Sequence, residues 1–162
     1  KLGTSSWSEW KALMEECITI TRAYKSEAIP LVAGFNWAYD LSMVMSDPIN
    51  ADGIGYVCHP YPQKVAKPWE LKWEQDWGQI SEHYPVILTE IGFSEETERG
   101  AHIPVIDDGS YVPAILDFTK SKGISFLIWV FDTTWAPALL EDWDYTPTKA
   151  GKVWKEAMTL KE

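Results

Sequence analysis

The sequence predicts an α/β fold built on a parallel sheet, and three observations carry the prediction. Four short runs are apolar on both faces: Ile29 to Phe35 ("IPLVAGF"), Gly53 to Cys58 ("GIGYVC"), Pro85 to Thr89 ("PVILT") and Ile124 to Val130 ("ISFLIWV"). Stretches of helical period separate them, giving the order α-β-(α)-β-α-β-α-β-α. Strands that are continuously apolar and alternate with helices belong to a parallel sheet covered on both sides. No repeat, low-complexity tract or linker interrupts the pattern, so residues 1–162 read as one piece of α/β structure.

Taken in order, the first helix runs from Ser6 to about Lys25, with Trp7, Trp10, Met14, Cys17 and Ile18 along one face. Ser6 followed three residues later by Glu9 fits a capping box. The first strand ends in the aromatic turn "NWAYD", and weak helical character follows before the second strand, which ends in "HPYP". Pro68 suits the first turn of a helix, and Trp69, Trp73, Trp77 and Ile80 keep its stripe to about His83. The third strand leads into a long loop, "GFSEETERGAHIPVIDDG", before a helix from about Ser110 to Ser121 that Gly123 stops. After the fourth strand and another long loop, Thr146-Pro147 reads as a cap followed by a first-turn proline, opening a last helix to about Leu160.

Bulk properties narrow the function classes. With 46% hydrophobic residues over 162 positions the chain has the material for a real core, and disorder is excluded. A net charge of -10 with no basic stripe argues against a nucleic-acid partner. No run of 18 apolar residues exists to span a membrane, and "KLGTSSWSEW" does not have the pattern of a signal peptide. Cys17 and Cys58 form neither a CxxC nor a disulfide framework, so two buried reduced thiols are expected. Ten Trp and seven Tyr are a heavy aromatic load, and many lie beside loops, where they either pack or stack flat rings.

The strand ends are informative as a set. They carry Asn36, Trp37 and Tyr39; His59 and Tyr61; Glu90 and Phe93; Trp129, Asp132 and Trp135. In a parallel sheet these ends lie on one side, where the loops after the strands build binding sites. Each residue has a plain reading: His59 as a bonded structural imidazole, Tyr61 as a strand terminator between prolines, Trp129 as core, Asp132 as a loop cap. Glu90 ends the apolar run "PVILTEIGF", where it is either a solvated loop acid or a catalytic group on a rigid mount. Their conjunction points to a site.

The three histidines lack HxxxH or HxH spacing and no ligand shell is close in sequence, so no metal is expected. "GIG" at Gly53 to Gly55 opens a strand instead of following one, and no Gly-x-Ser-x-Gly motif occurs, which excludes a phosphate loop and a serine nucleophile. No cofactor is implied. Carboxylate chemistry on a ring-stacking substrate remains: sugars pack CH faces on Trp and need Asn, His and Tyr for their hydroxyls. Retaining glycoside cleavage uses one carboxylate as nucleophile and one carboxylic acid as proton donor, about 5–5.5 Å apart. Glu90 fits the nucleophile, and a Tyr61 hydroxyl bond could hold it ionised and aimed.

"HPY" (His59-Pro60-Tyr61), "TEIGF" around Glu90, "WVFDTTW" (Trp129 to Trp135) and "DWDYTPTKAG" together resemble the C-terminal half of a glycoside hydrolase family 5 enzyme, the family of many cellulases and mannanases. The resemblance implies half of a (β/α)8 barrel, strands five to eight with their helices, needing a complementary half to close. It implies Glu90 as nucleophile, His59 and Tyr61 orienting it, and Trp129 flooring the sugar nearest the cleaved bond. Asn36, Trp37, Tyr39, Phe93 and Trp135 are the remaining substrate-binding candidates. A β-linked polysaccharide or oligosaccharide is the implied partner, and secretion is implied by the resemblance alone.

One departure matters. The family's acid/base Glu lies in an Asn-Glu pair after the fourth strand, and this sequence has no Asn-Glu. The acid/base is therefore expected outside this chain, on an N-terminal half-barrel; Glu95, Glu96 and Asp132 are the internal candidates near the mouth. The leading expectation is the nucleophile-bearing half of an endo-acting β-glycanase, inactive by itself. The alternative is a non-catalytic sugar-binding or structural half-barrel.

Overall fold

The computed structural model describes residues 6–159. Four parallel strands, β1 (Leu31–Ala33), β2 (Gly55–Cys58), β3 (Val86–Ile91) and β4 (Ser125–Ile128), lie side by side in sequence order. Helix α1 (Trp7–Ala23) precedes β1, and a single turn, α2 (Phe35–Ala38), leaves it. Helices α3 (Glu70–Asp76), α4 (Tyr111–Lys122) and α5 (Lys149–Thr159) follow β2, β3 and β4. β1, β2 and β4 are shorter than the apolar runs that encode them, whereas β3 runs on past its run through Glu90 to Ile91.

The helix signals mostly hold. Ser6 and Glu9 close the expected capping box on α1, and Gly123, with φ 65°, ends α4 in the left-handed conformation that glycine favours. The tryptophan stripe is core: Trp73 and Trp77 are fully buried, and Trp69 stacks on Trp73 at 5.5 Å. That helix is not continuous to His83. It breaks at Trp77, and a 3₁₀ turn (Gly78–Glu82) takes over. A Cβ on Gly78 would stand 2.7 Å from the Phe118 ring, so α4 packs against bare backbone there. The last helix takes its cap from Thr148, whose hydroxyl accepts from the Gly151 amide at 2.9 Å. Thr146-Pro147 is not its start; Pro147 instead pairs with Leu140 in an isolated antiparallel bridge, and Leu160 lies outside the described residues.

The register shows which way the sheet faces. Val32, Tyr56, Val86, Leu88 and Phe126 share one face, since Val32 pairs with Tyr56, Tyr56 with Val86 and Leu88 with Phe126. These residues pack into the helix-covered core, with Tyr56 and Leu88 fully buried. Leu31, Ile87, Ser125 and Leu127 belong to the opposite face, where Leu31 is 43% exposed and Leu127 60%. The expectation of cover on both sides is therefore corrected. Helices cover one face, and the other is apolar but open.

The accessible surface tells the same story. The chain presents 10002 Å², whereas a compact monomer of this mass would expose about 8,200 Å². Cysteine burial also departs from expectation: Cys58 is buried, but Cys17 is exposed on α1. No described helix is long and apolar enough to cross a membrane.

Candidate active site

Glu90 is the penultimate residue of β3, beside a register irregularity between Leu88 and Ile91. In a regular strand Thr89 and Glu90 would point to opposite faces. Here both reach the same imidazole. His59 Nε2 lies 2.8 Å from the Thr89 hydroxyl, and His59 Nδ1 lies 3.5 Å from Glu90 Oε2. Because a carboxylate only accepts, the arrangement that satisfies both contacts puts the proton on Nδ1 and lets Nε2 accept from Thr89. Burial pushes the His59 pKa down; the Glu90 charge opposes that shift and Lys64 adds to it.

Tyr61 donates its hydroxyl to the same Glu90 oxygen at 2.9 Å. Burial, followed by the Glu90 charge, pushes the phenol pKa well up, so Tyr61 remains a donor through the working pH range. Both contacts fall on Oε2. Among the described residues nothing bonds Oε1, which is left facing open space.

Two cavities flank this carboxylate. One, of about 850 Å³, is lined by Asn36, Trp37, His59, Tyr61, Lys64 and Glu90 among others. The second, of about 700 Å³, is lined by Tyr61, Glu90, Trp129 and Trp135 among others. Trp129 and Trp135 meet edge to face at 6.5 Å. The amide of Trp129 donates to Ile91 O, which ties that wall to the strand carrying Glu90. Seven of the sequence-predicted residues thus converge: Asn36, Trp37, His59, Tyr61, Glu90, Trp129 and Trp135.

Two do not. Tyr39 is buried behind the mouth beside Asp76, and Phe93 is buried in the core next to Gly109. Both lie at strand exits, but their side chains turn inward where the chain bends away. Conversely, Lys64 and His102 line the cavities although neither stood out in the sequence. Lys64 ends a 3₁₀ turn (Pro62–Lys64) and His102 sits in an irregular loop, with no period or motif to flag either.

Glu90 is the only carboxylate lining either cavity among the described residues. Glu95 pairs with Lys149 at 2.6 Å, and Glu95 and Glu96 border a different cavity beyond Gln63. Gln63 separates the spaces, its amide donating to Pro104 O and its side chain to Ile106 O. Asp132 accepts from the Trp135 and Thr134 amides, which holds its pKa below the ordinary range, so it caps its own loop. Among the described residues no group of three or more His, Cys, Asp or Glu could hold a metal.

The sequence profile described as Cellulase (glycosyl hydrolase family 5) matches residues 1–134. The chain belongs to glycosyl hydrolase family 5. The β-glucanase SdGluc5_26A from Saccharophagus degradans, solved in complex with cellotetraose, is 45% identical, with a TM-score of 0.93 over 98% of this chain and 49% of that one. Two more distant structures share the fold: the catalytic domain of the major endoglucanase from Xanthomonas campestris pv. campestris and an endocellulase from Pyrococcus horikoshii. The first is 18% identical with a TM-score of 0.73 over 94% of this chain and 50% of that one. The second is 17% identical with a TM-score of 0.70 over 93% and 48%. No curated protein matches. The chain spans about half the length of these structures, and its open four-stranded sheet is half of the family 5 (β/α)8 barrel.

Proposed function

We propose that this chain, residues 1–162, is the nucleophile-bearing half of a retaining, endo-acting β-glycoside hydrolase. Glu90 is the nucleophile, His59 and Tyr61 orient it, and Asn36, Trp37, Trp129 and Trp135 bind sugar. The reading rests on one arrangement: a strand-end carboxylate alone between two aromatic-walled cavities, with Oε2 held by two partners and Oε1 unengaged. In the reaction Oε1 attacks the anomeric carbon as the bond to the leaving oxygen breaks. That oxygen takes a proton from an acid, and water then hydrolyses the glycosyl ester with the same acid serving as base. Glu95 is paired with Lys149, Asp132 caps its own loop and Glu96 borders a different cavity, so an N-terminal half-barrel supplies the acid and covers the open sheet face.

The S. degradans relative was solved with cellotetraose, which favours a β-linked glucan as substrate over a mannan. A polymer of that kind cannot enter a cell, so the working protein is secreted. That Glu90 is the only carboxylate lining the site among the described residues favours a second reading for the separated chain, a sugar-binding half-barrel without turnover.

The decisive test joins this chain to the N-terminal half of the S. degradans β-glucanase and follows cellotetraose hydrolysis. The joined barrel is expected to turn over, Glu90→Gln to abolish turnover while keeping sugar binding, and the chain alone to show none. Turnover by the chain alone, with loss on Asp132→Asn, would reassign the acid to this half.

A further inference from the structure

We propose that Lys64 is a positioning residue that holds Trp37 as a sugar-stacking platform on one side of Glu90. The proposal rests on the glycosidase reading above. Trp37 is 85% exposed, an unusual setting for the largest apolar side chain, yet it is not free. The Lys64 ammonium lies 4.9 Å from its ring centroid, within cation–π range. The same ammonium donates to the Asn36 carbonyl at 2.9 Å and stands 3.4 Å from Asn36 Oδ1. One side chain thus grips both the ring and the backbone that bears it.

The backbone needs gripping. Asn36, Trp37 and Ala38 have φ of 54°, 53° and 62°, three consecutive left-handed residues. Asparagine tolerates that region; tryptophan and alanine do not, because Cβ crowds the following carbonyl. Such a run persists only where its surroundings over-determine it. Phe35 and Asp40 exchange amide bonds at 2.9 and 3.0 Å across the base of the turn. Gly34 allows that closure, since a Cβ there would meet Asp40 O at 1.9 Å. The exit is fixed by the His59 amide donating to Ala38 O at 2.9 Å, so the turn is anchored to the residue that touches Glu90.

Lys64 is the remaining support, and it comes from a different loop. Its neighbour Gln63 is bonded to Pro104 O and Ile106 O, which makes its mount stiff. Burial holds the Lys64 pKa below its ordinary value, as expected for an ammonium turned inward toward the turn instead of outward to water. Asn36, Trp37, Lys64, His59 and Glu90 all border one cavity. A cation under one face of the indole leaves the other face for the CH face of a sugar ring, one subsite removed from Glu90.

The test uses the joined barrel. Lys64→Met keeps chain length and removes charge; it is expected to raise KM for cellotetraose about tenfold with kcat within about twofold, the scale of losing one partly desolvated cation–π contact. Lys64→Arg is expected to restore KM, and the double variant Trp37→Ala/Lys64→Met to be no worse than Trp37→Ala alone. An unchanged KM for Lys64→Met, a loss confined to kcat, or additive losses in the double variant would overturn the proposal. Cellotetraose binding to the Glu90→Gln barrel, followed by tryptophan fluorescence, separates the two readings. Weakened binding with Lys64→Met in a barrel that never hydrolyses glucan would sink the hydrolase reading and keep the clamp. Full hydrolysis with no binding change would sink the clamp alone.

Discussion

Tyr61→Phe isolates one hydrogen bond at the heart of the site. The substitution keeps the ring, and Tyr61 is only 9% exposed, so the packing that places the ring survives. What disappears is the donor 2.9 Å from Glu90 Oε2. Bonds to charged groups contribute about 1.5–3 kcal/mol. The Glu90 side chain is 29% exposed, which lets water replace part of the lost donor. The lower end, about 1.5 kcal/mol, is therefore the appropriate figure, and it corresponds to a factor of about ten in rate.

If Glu90 is the proposed nucleophile, the loss belongs in kcat, because Tyr61 then acts on the attacking group through its bond to Oε2. The assay is steady-state hydrolysis of cellotetraose by the joined barrel, with Glu90→Gln and the Glu90→Gln/Tyr61→Phe double variant alongside. If Tyr61 works through Glu90, the double variant is no slower than Glu90→Gln alone, since groups acting as a unit are not additive. A kcat for Tyr61→Phe within twofold of the parent would refute the reasoning, and so would a loss seen only in KM.

Three further outcomes follow from the same contacts. The His59 imidazole is expected to titrate below its ordinary 6.5 by NMR; Glu90→Gln lowers it further by removing a stabilising negative charge, and Lys64→Met raises it. By linkage, His59 contributes stability that is fully present above pH 6.5 and is lost as pH falls through the folded value. Urea midpoints at pH 7.5 and pH 5 should therefore differ more for the parent than for His59→Gln. Gly92→Ala would place a Cβ 2.6 Å from Trp129 O and 2.8 Å from Pro137 Cγ. Overpacking of that kind costs about 1–3 kcal/mol, read as a fall of about 2–4 °C in Tm per kcal/mol, and the displaced Trp129 should weaken glucan binding as well. Leu127→Lys, on the open sheet face, should leave the melting of this chain unchanged while abolishing its recovery with a co-expressed N-terminal half.

Much of this architecture is legible in the residues because helix and strand periods differ so clearly. The Trp69–Trp73–Trp77 stripe marks a buried helical stretch, and Glu90 after "PVILT" marks a strand exit to within one residue. What the pattern cannot convey is which apolar face meets helices and which meets the lumen of a barrel. Leu88 and Leu127 are equally hydrophobic, yet one is fully buried and the other 60% exposed. Tyr39 and Phe93 illustrate a second limit, since a strand exit fixes where Cα lies but not where the side chain turns. Lys64 shows a third. Its role depends on three left-handed residues, and neither Trp37 nor Ala38 carries a turn signal.

Every described partner of Glu90 belongs to this chain. Tyr61 and His59 follow β2, Thr89 and Glu90 end β3, and the two strands are locked by pairs such as Cys58 with Leu88. On the proposed reading, the contacts within this half that aim the carboxylate are those from Tyr61 and His59. On that same reading, the nucleophile's setting is assembled in this half and the acid comes with the N-terminal half. The isolated chain should then keep the His59–Glu90 contact, with His59 showing the same depressed titration alone as in the joined barrel. A His59 titration that reaches its depressed value only after joining would mean that closure builds the nucleophile's setting too.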